Sequence, residues 1–123
     1  MRLFRLREGI AEVRGEIAKL VAFYNPPMSA YFFVDVREIK DAAKMETYRA
    51  RVTAVVEKFG GRYLIRGGPF DVVEGAWQPV FPVLLEFPSM EAARRWYDSE
   101  DYRELKGLRL EATSGSAVFL SGK

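Results

Sequence analysis

The run Tyr31-Phe32-Phe33-Val34-Asp35-Val36 constrains this chain more than any other stretch. It is rich in β-formers, and strand alternation puts Phe32, Val34 and Val36 on one face and Tyr31, Phe33 and Asp35 on the other. A strand apolar on both faces needs cover on both. Whatever follows must supply at least one cover from within the chain, and a second must come from elsewhere.

The first cover is legible just downstream. Asp41 is a plausible N-cap, and Met45, Tyr48, Val52, Val55, Val56 and Phe59 recur at helical spacing until Gly60-Gly61 stops them. Arg62 to Arg66 reads as a short strand ended by Gly67-Gly68-Pro69, with Phe70 to Val73 extending it as a ribbon before Glu74-Gly75 turns the chain. A third strand is expected over about Val80 to Phe87. Ser89 then caps a helix presenting Met90, Ala93, Trp96 and Tyr97, and Ser99 caps a second segment through Tyr102, Leu105 and Leu108 to about Ala112. Ala117 to Leu120 supplies the last strand.

The order β-α-β-β-α-β predicts an α+β, ferredoxin-like domain: a four-stranded antiparallel sheet with its helices on one face. The other face, carrying Tyr31 and Phe33, would be too apolar to leave in water. A partner sheet is expected to cover it, giving a homodimeric α/β barrel with an enclosed space for a small organic ligand.

Residues 1–27 read separately from the domain at 28–123. Leu3, Leu6, Ile10, Val13, Ile17, Leu20 and Tyr24 make one apolar seam at alternating gaps of three and four, predicting an N-terminal amphipathic helix that ends at Asn25-Pro26-Pro27. Met28 offers a second start, which would leave this extension out. Arg2, Arg5 and Arg7 resemble a signal n-region, but Glu8, Glu12, Arg14, Glu16 and Lys19 break up what should be an apolar core. The uncharged stretch Leu20–Val34 is 15 residues long and broken by prolines, too short for a span. The expectation is a cytoplasmic protein with no membrane partner.

Composition then removes whole classes of chemistry. The chain has no cysteine and no histidine. Disulfides, thiolate catalysis, histidine bases and the usual zinc and haem ligands go with them, so no metal site is expected. Residues 1–27 hold five basic and three acidic side chains, whereas 28–123 hold fourteen of each. The domain is neutral, and nucleic acid is not an expected partner. With neither a phosphate loop nor a dinucleotide fingerprint, no cofactor is expected either.

Gly60-Gly61, Arg66-Gly67-Gly68, Glu74-Gly75-x-Trp77-x-Pro79, Glu86-Phe87-Pro88-Ser89, Ala92, Trp96-Tyr97, Ser99, Tyr102 and Arg109 stand in an order and spacing that resemble one family, the domain of unknown function 1330. The resemblance covers residues 30 to 122. It implies the ferredoxin-like fold and the dimer, similar to the stress-responsive and antibiotic-monooxygenase dimeric barrels, and no assigned activity. Val80 and Phe81 stand where the family usually has a basic residue, which removes any anion-binding role carried there in relatives.

Several side chains are candidates for chemistry. Asp35, in an otherwise apolar alternation, would be a desolvated base if it faced the barrel and a wet strand-end carboxylate if not. Glu74 shares a loop with Trp77 and is the second candidate base. Arg109, among Leu105, Leu108 and Leu110, either ties its helix to the sheet or stabilises an oxyanion. Tyr31, Phe33, Tyr48, Arg66, Trp77 and Glu86 are the candidate ligand-binding residues. Tyr102 reads as core. Three functions remain open: a dimeric barrel binding a small apolar or aromatic molecule; a cofactor-independent proton-transfer, isomerase or monooxygenase enzyme using a carboxylate and Arg; and an interaction module acting through the N-terminal helix.

Overall fold

The computed structural model describes residues 29–123. The amphipathic extension expected over residues 1–27 lies outside the described residues.

Local signals start each helix. The Asp41 carboxylate accepts from the Lys44 N–H at 3.1 Å, opening α1 (Ala42–Lys58) after strand β1 (Ala30–Ile39). The Ser89 hydroxyl accepts from Ala92 N–H at 3.0 Å to open α2 (Met90–Tyr97), and Ser99 does the same for Tyr102 N–H at 3.1 Å to open α3 (Glu100–Ala112). Each cap satisfies one amide that the first turn leaves free. Strands β2 (Arg62–Arg66), β3 (Pro82–Phe87) and β4 (Thr113–Ser121) complete the sheet.

The strands lie in the order β2-β3-β1-β4, each antiparallel to its neighbours. This is the ferredoxin-like arrangement expected of the element order, with the helical segment between β3 and β4 divided at Ser99. Phe32, Val34, Val36, Leu85 and Phe87 face the helices and are buried. Trp96 is fully buried at the centre, its ring 4.3 Å from that of Tyr102 and 5.2 Å from those of Phe32 and Phe87.

Three boundaries differ from expectation. The Phe70–Val73 ribbon does not form: β2 and β3 are joined by an irregular loop over residues 67–81 whose Phe70, Val73 and Trp77 are exposed. β3 begins at Pro82 rather than Val80, because the Val80 and Phe81 amides turn to the Asp35 carboxylate. β4 begins at Thr113 rather than Ala117, directly from the end of α3. The Thr-Ser-Gly-Ser stretch is a poor strand former, but its pairing with Val36, Glu38 and Ile39 across a bulge overrides local preference. Gly115 is required there, since any side chain would collide with the Asp35 carbonyl.

The face turned away from the helices carries Tyr31 and Phe33 with their cross-strand partners Leu84, Glu86, Val118 and Leu120. Val118 and Leu120 are each about half exposed.

Candidate functional site

A cavity of about 170 Å³ lies between α1 and the sheet, on the helix side rather than in the space a second sheet would enclose. Its apolar walls come from Val34, Val36, Met45, Val52, Phe81 and Val83. This volume is close to that of an engineered apolar cavity of ~150 Å³ that admits one benzene ring. Its polar lining is Tyr48, Arg49, Thr53, Tyr63, Arg66 and Arg109, three guanidinium groups and no carboxylate.

Arg109 is the centre of this site. Its residue is only 6% exposed, yet it makes no salt bridge with any described carboxylate. Its Nε donates to the Tyr102 hydroxyl at 3.3 Å, its guanidinium lies 5.7 Å from the Phe32 ring centroid, and its buried Nη2 has no hydrogen-bond partner. Burial pulls its pKa down, but the Tyr102 and Tyr48 oxygens outweigh that and the group sits above its ordinary value. A buried cation held charged without a counter-ion is costly unless something else completes its hydrogen bonding.

Tyr102 brings the second ring into register. It is fully buried and seven residues before Arg109, so both stand on one face of α3, and its hydroxyl lies 2.7 Å from that of Tyr48. Burial pushes the Tyr48 phenol well above its ordinary value, with Tyr102 adding to the effect, so Tyr48 stays a neutral hydroxyl. Burial raises Tyr63 as well. At the cavity edge Arg66 stacks on the Tyr63 ring, 3.9 Å from its centroid, and reaches the Thr53 hydroxyl at 3.4 Å. Gly67, at φ +72°, gives the close turn that seats Phe81, because a side chain there would strike its ring.

The candidate residues divide between the two faces of the sheet. Tyr48, Arg66 and Arg109 come together in the cavity. Tyr31, Phe33, Asp35 and Glu86 lie on the opposite face, with the Trp77 ring 6.3 Å from that of Phe33, and Glu74 is exposed in the 67–81 loop.

Asp35 fits neither of its two readings, the desolvated base or the wet strand-end carboxylate. It is buried, but its carboxylate accepts from Val80 N–H at 2.9 Å, Phe81 N–H at 3.0 Å and Arg37 Nη1 at 2.6 Å. Burial pushes its pKa up, and these donors together outweigh it, leaving the group below its ordinary 3.8. It is an ionised clamp on the end of the loop. Glu86 is likewise engaged: Arg62 donates to it at 2.9 Å and Tyr31 at 3.3 Å, and Arg62 foremost holds its carboxyl below the ordinary value.

Arg49, Thr53, Tyr63 and Phe81 also line the cavity, and none of them is among the candidate site residues of the sequence. Their signal was weak. Arg49 follows Met45 by one turn, which places it beside the apolar stripe, but an arginine on a helix is ordinarily a solvated one. Among the described residues no cluster of acidic side chains suits a metal ion, and no helix is long and apolar enough to cross a membrane.

Residues 29–123 match the family described as Domain of unknown function (DUF1330). The chain belongs to that family. None of the curated proteins matches this DUF1330 chain. Among solved structures it is similar to RPA0582, a protein of unknown function from Rhodopseudomonas palustris, at 17% identity and a TM-score of 0.63 over 88% of this chain and 92% of that one. The methylated form of RPA0582 gives 0.64. At3g17210 from Arabidopsis thaliana gives 14% identity and a TM-score of 0.51 over 79% of this chain and 94% of that one. At these identities the likeness is one of fold.

Proposed function

We propose that this DUF1330 protein binds a small organic anion with an apolar, ring-sized body in the cavity between α1 and the sheet, its acidic group taken by Arg109. One observation carries the reading: an arginine 6% exposed, in the wall of an apolar cavity, with an unpartnered Nη2 and no described carboxylate to neutralise it. A bound carboxylate would supply both the missing charge and the missing acceptor. Tyr102, with no exposure, accepts from Arg109, and we take it to donate to Tyr48, the arrangement that leaves the spare proton on the hydroxyl lining the cavity. The Tyr48 proton is then free for the ligand.

The enzyme reading draws no support from the placement of its bases. Asp35 lies across the sheet and is already engaged by three donors, and no carboxylate lines the cavity. The chain is read as a binding protein.

We also infer that a second copy covers the open sheet face. Tyr31, Phe33, Leu84, Val118 and Leu120 form one apolar surface there, and like faces can pair about a two-fold axis.

Calorimetric titration with benzoate tests the binding reading. Saturable binding with Kd below about 1 mM is expected, weakened at least tenfold in Arg109→Met. Absence of heat with benzoate and with other small carboxylates, by a protein whose circular dichroism shows it folded, would sink it.

A further inference from the structure

The cavity's charge is larger than one anion needs. Nine arginines stand among the described residues, and Arg37, Arg51, Arg62, Arg95 and Arg103 each pair with a carboxylate. Of the four that pair with none of the described carboxylates, Arg94 lies over the Phe119 ring, 4.5 Å from its centroid. The other three, Arg49, Arg66 and Arg109, all line the one cavity. A neutral domain that pairs five of its nine described arginines with carboxylates leaves three of the other four around a single cavity.

Their depths differ. Arg109 is buried, whereas Arg49 and Arg66 are exposed residues at the cavity's outer edge, Arg49 on α1 and Arg66 at the end of β2. Arg66 is held there by the Tyr63 ring and the Thr53 hydroxyl, neither of which neutralises it. The same lining is otherwise mainly apolar, with Val34, Val52, Phe81 and Val83 among its residues. Cations at two depths in a mainly apolar lining are the complement of a molecule with two acidic groups on an apolar body.

Resting on the anion-binding reading above, we infer that the ligand is a dianion, with two acidic groups at opposite ends of a ring-sized or short-chain apolar body. The inner group pairs with Arg109 and the outer group with Arg49 and Arg66. The outer pair is closer to water, so its attraction is weaker and more sensitive to salt than the inner one. It selects among anions instead of capturing them.

Matched probes separate the two readings. Calorimetry of the full chain with benzoate against terephthalate, and with hexanoate against adipate, compares one acidic group with two on the same body. The dianion of at least one pair is expected to bind at least about fivefold more tightly at low salt, with the gap closing in the double variant Arg49→Gln/Arg66→Gln. Both positions are exposed, so that variant is expected to fold, and its affinity for the monoanion should fall by less than its affinity for the dianion. Equal affinities within both pairs would overturn the dianion and leave the Arg109 reading standing. A preference that survives the double variant would overturn the role of Arg49 and Arg66. No binding of any of the four would overturn both readings.

Discussion

The hydroxyl groups of Tyr48 and Tyr102 stand 2.7 Å apart across the contact between α1 and α3, and the Tyr102 oxygen also receives Arg109 Nε at 3.3 Å. A chain of three side chains thus links the cavity wall to the centre of the core, where the Tyr102 ring packs 4.3 Å from Trp96. The order of donation matters, because only Tyr48 of the two rings faces the cavity.

Tyr48→Phe removes the acceptor for the buried Tyr102 hydroxyl and the donor offered to a ligand. Leaving one buried hydroxyl unsatisfied should cost about 1–3 kcal/mol in urea denaturation. Benzoate binding should weaken by about tenfold at the same time. A variant that loses stability while keeping full affinity would confine the pair to a structural role.

Asp35→Asn tests the loop clamp. The amide keeps an oxygen for the Val80 and Phe81 N–H groups but sets its NH2, a donor, against the Arg37 guanidinium, which is itself partly exposed, so a loss of about 1–2 kcal/mol is expected. Because the folded carboxyl sits below its ordinary 3.8, its stabilisation is complete above about pH 4 and is lost as pH falls through 3.8 toward the folded value. Thermal melts of the natural protein should therefore decline over that acid range more steeply than those of the variant. Benzoate binding at pH 7 should be unchanged, since Asp35 faces away from the cavity.

How much of this was legible beforehand depends on how local each signal is. Asp41, Ser89 and Ser99 announce their helices because a cap is a contact three residues long, and all three caps form. The start of β4 was hidden because Ser114-Gly115-Ser116 gains its strand conformation only from pairing with β1. Arg109 was conspicuous as an arginine among leucines. The side of the sheet that holds the cavity was not, because alternation divides the faces without saying which cover fits loosely. That is why Tyr48, Arg66 and Arg109 ended up together while Asp35, Tyr31, Phe33 and Glu86 share the other face. Tyr102 looked like plain core, and by burial it is; its second role rests on one oxygen.

The raised tyrosines give an alkaline signature. Tyr48 and Tyr63 both lie above the ordinary 10.0, burial being the first cause in each, so their protons favour the folded state. That contribution is present below pH 10 and is lost as pH rises from 10 through the folded values. In an ultraviolet titration of the six tyrosines of the chain, Tyr48→Phe should remove a late-titrating step rather than an early one. Removal of an early step would show that Tyr48 is wet.

The open sheet face yields the last prediction. Val118 and Leu120 are each about half exposed in the single chain and sit beside Phe33 and Tyr31 on β1. Neither belongs to the buried core, so Val118→Arg/Leu120→Arg should leave one copy's packing intact. It should place four like charges against one another if two copies meet face to face, a repulsion that such an interface cannot desolvate cheaply. Light scattering after size exclusion should report a dimer for the natural sequence and a folded monomer for the variant. A natural protein that is monomeric at tens of micromolar would remove the second copy from this face. A variant that stays dimeric would move the interface elsewhere, most readily to the exposed Phe70, Val73 and Trp77 of the 67–81 loop.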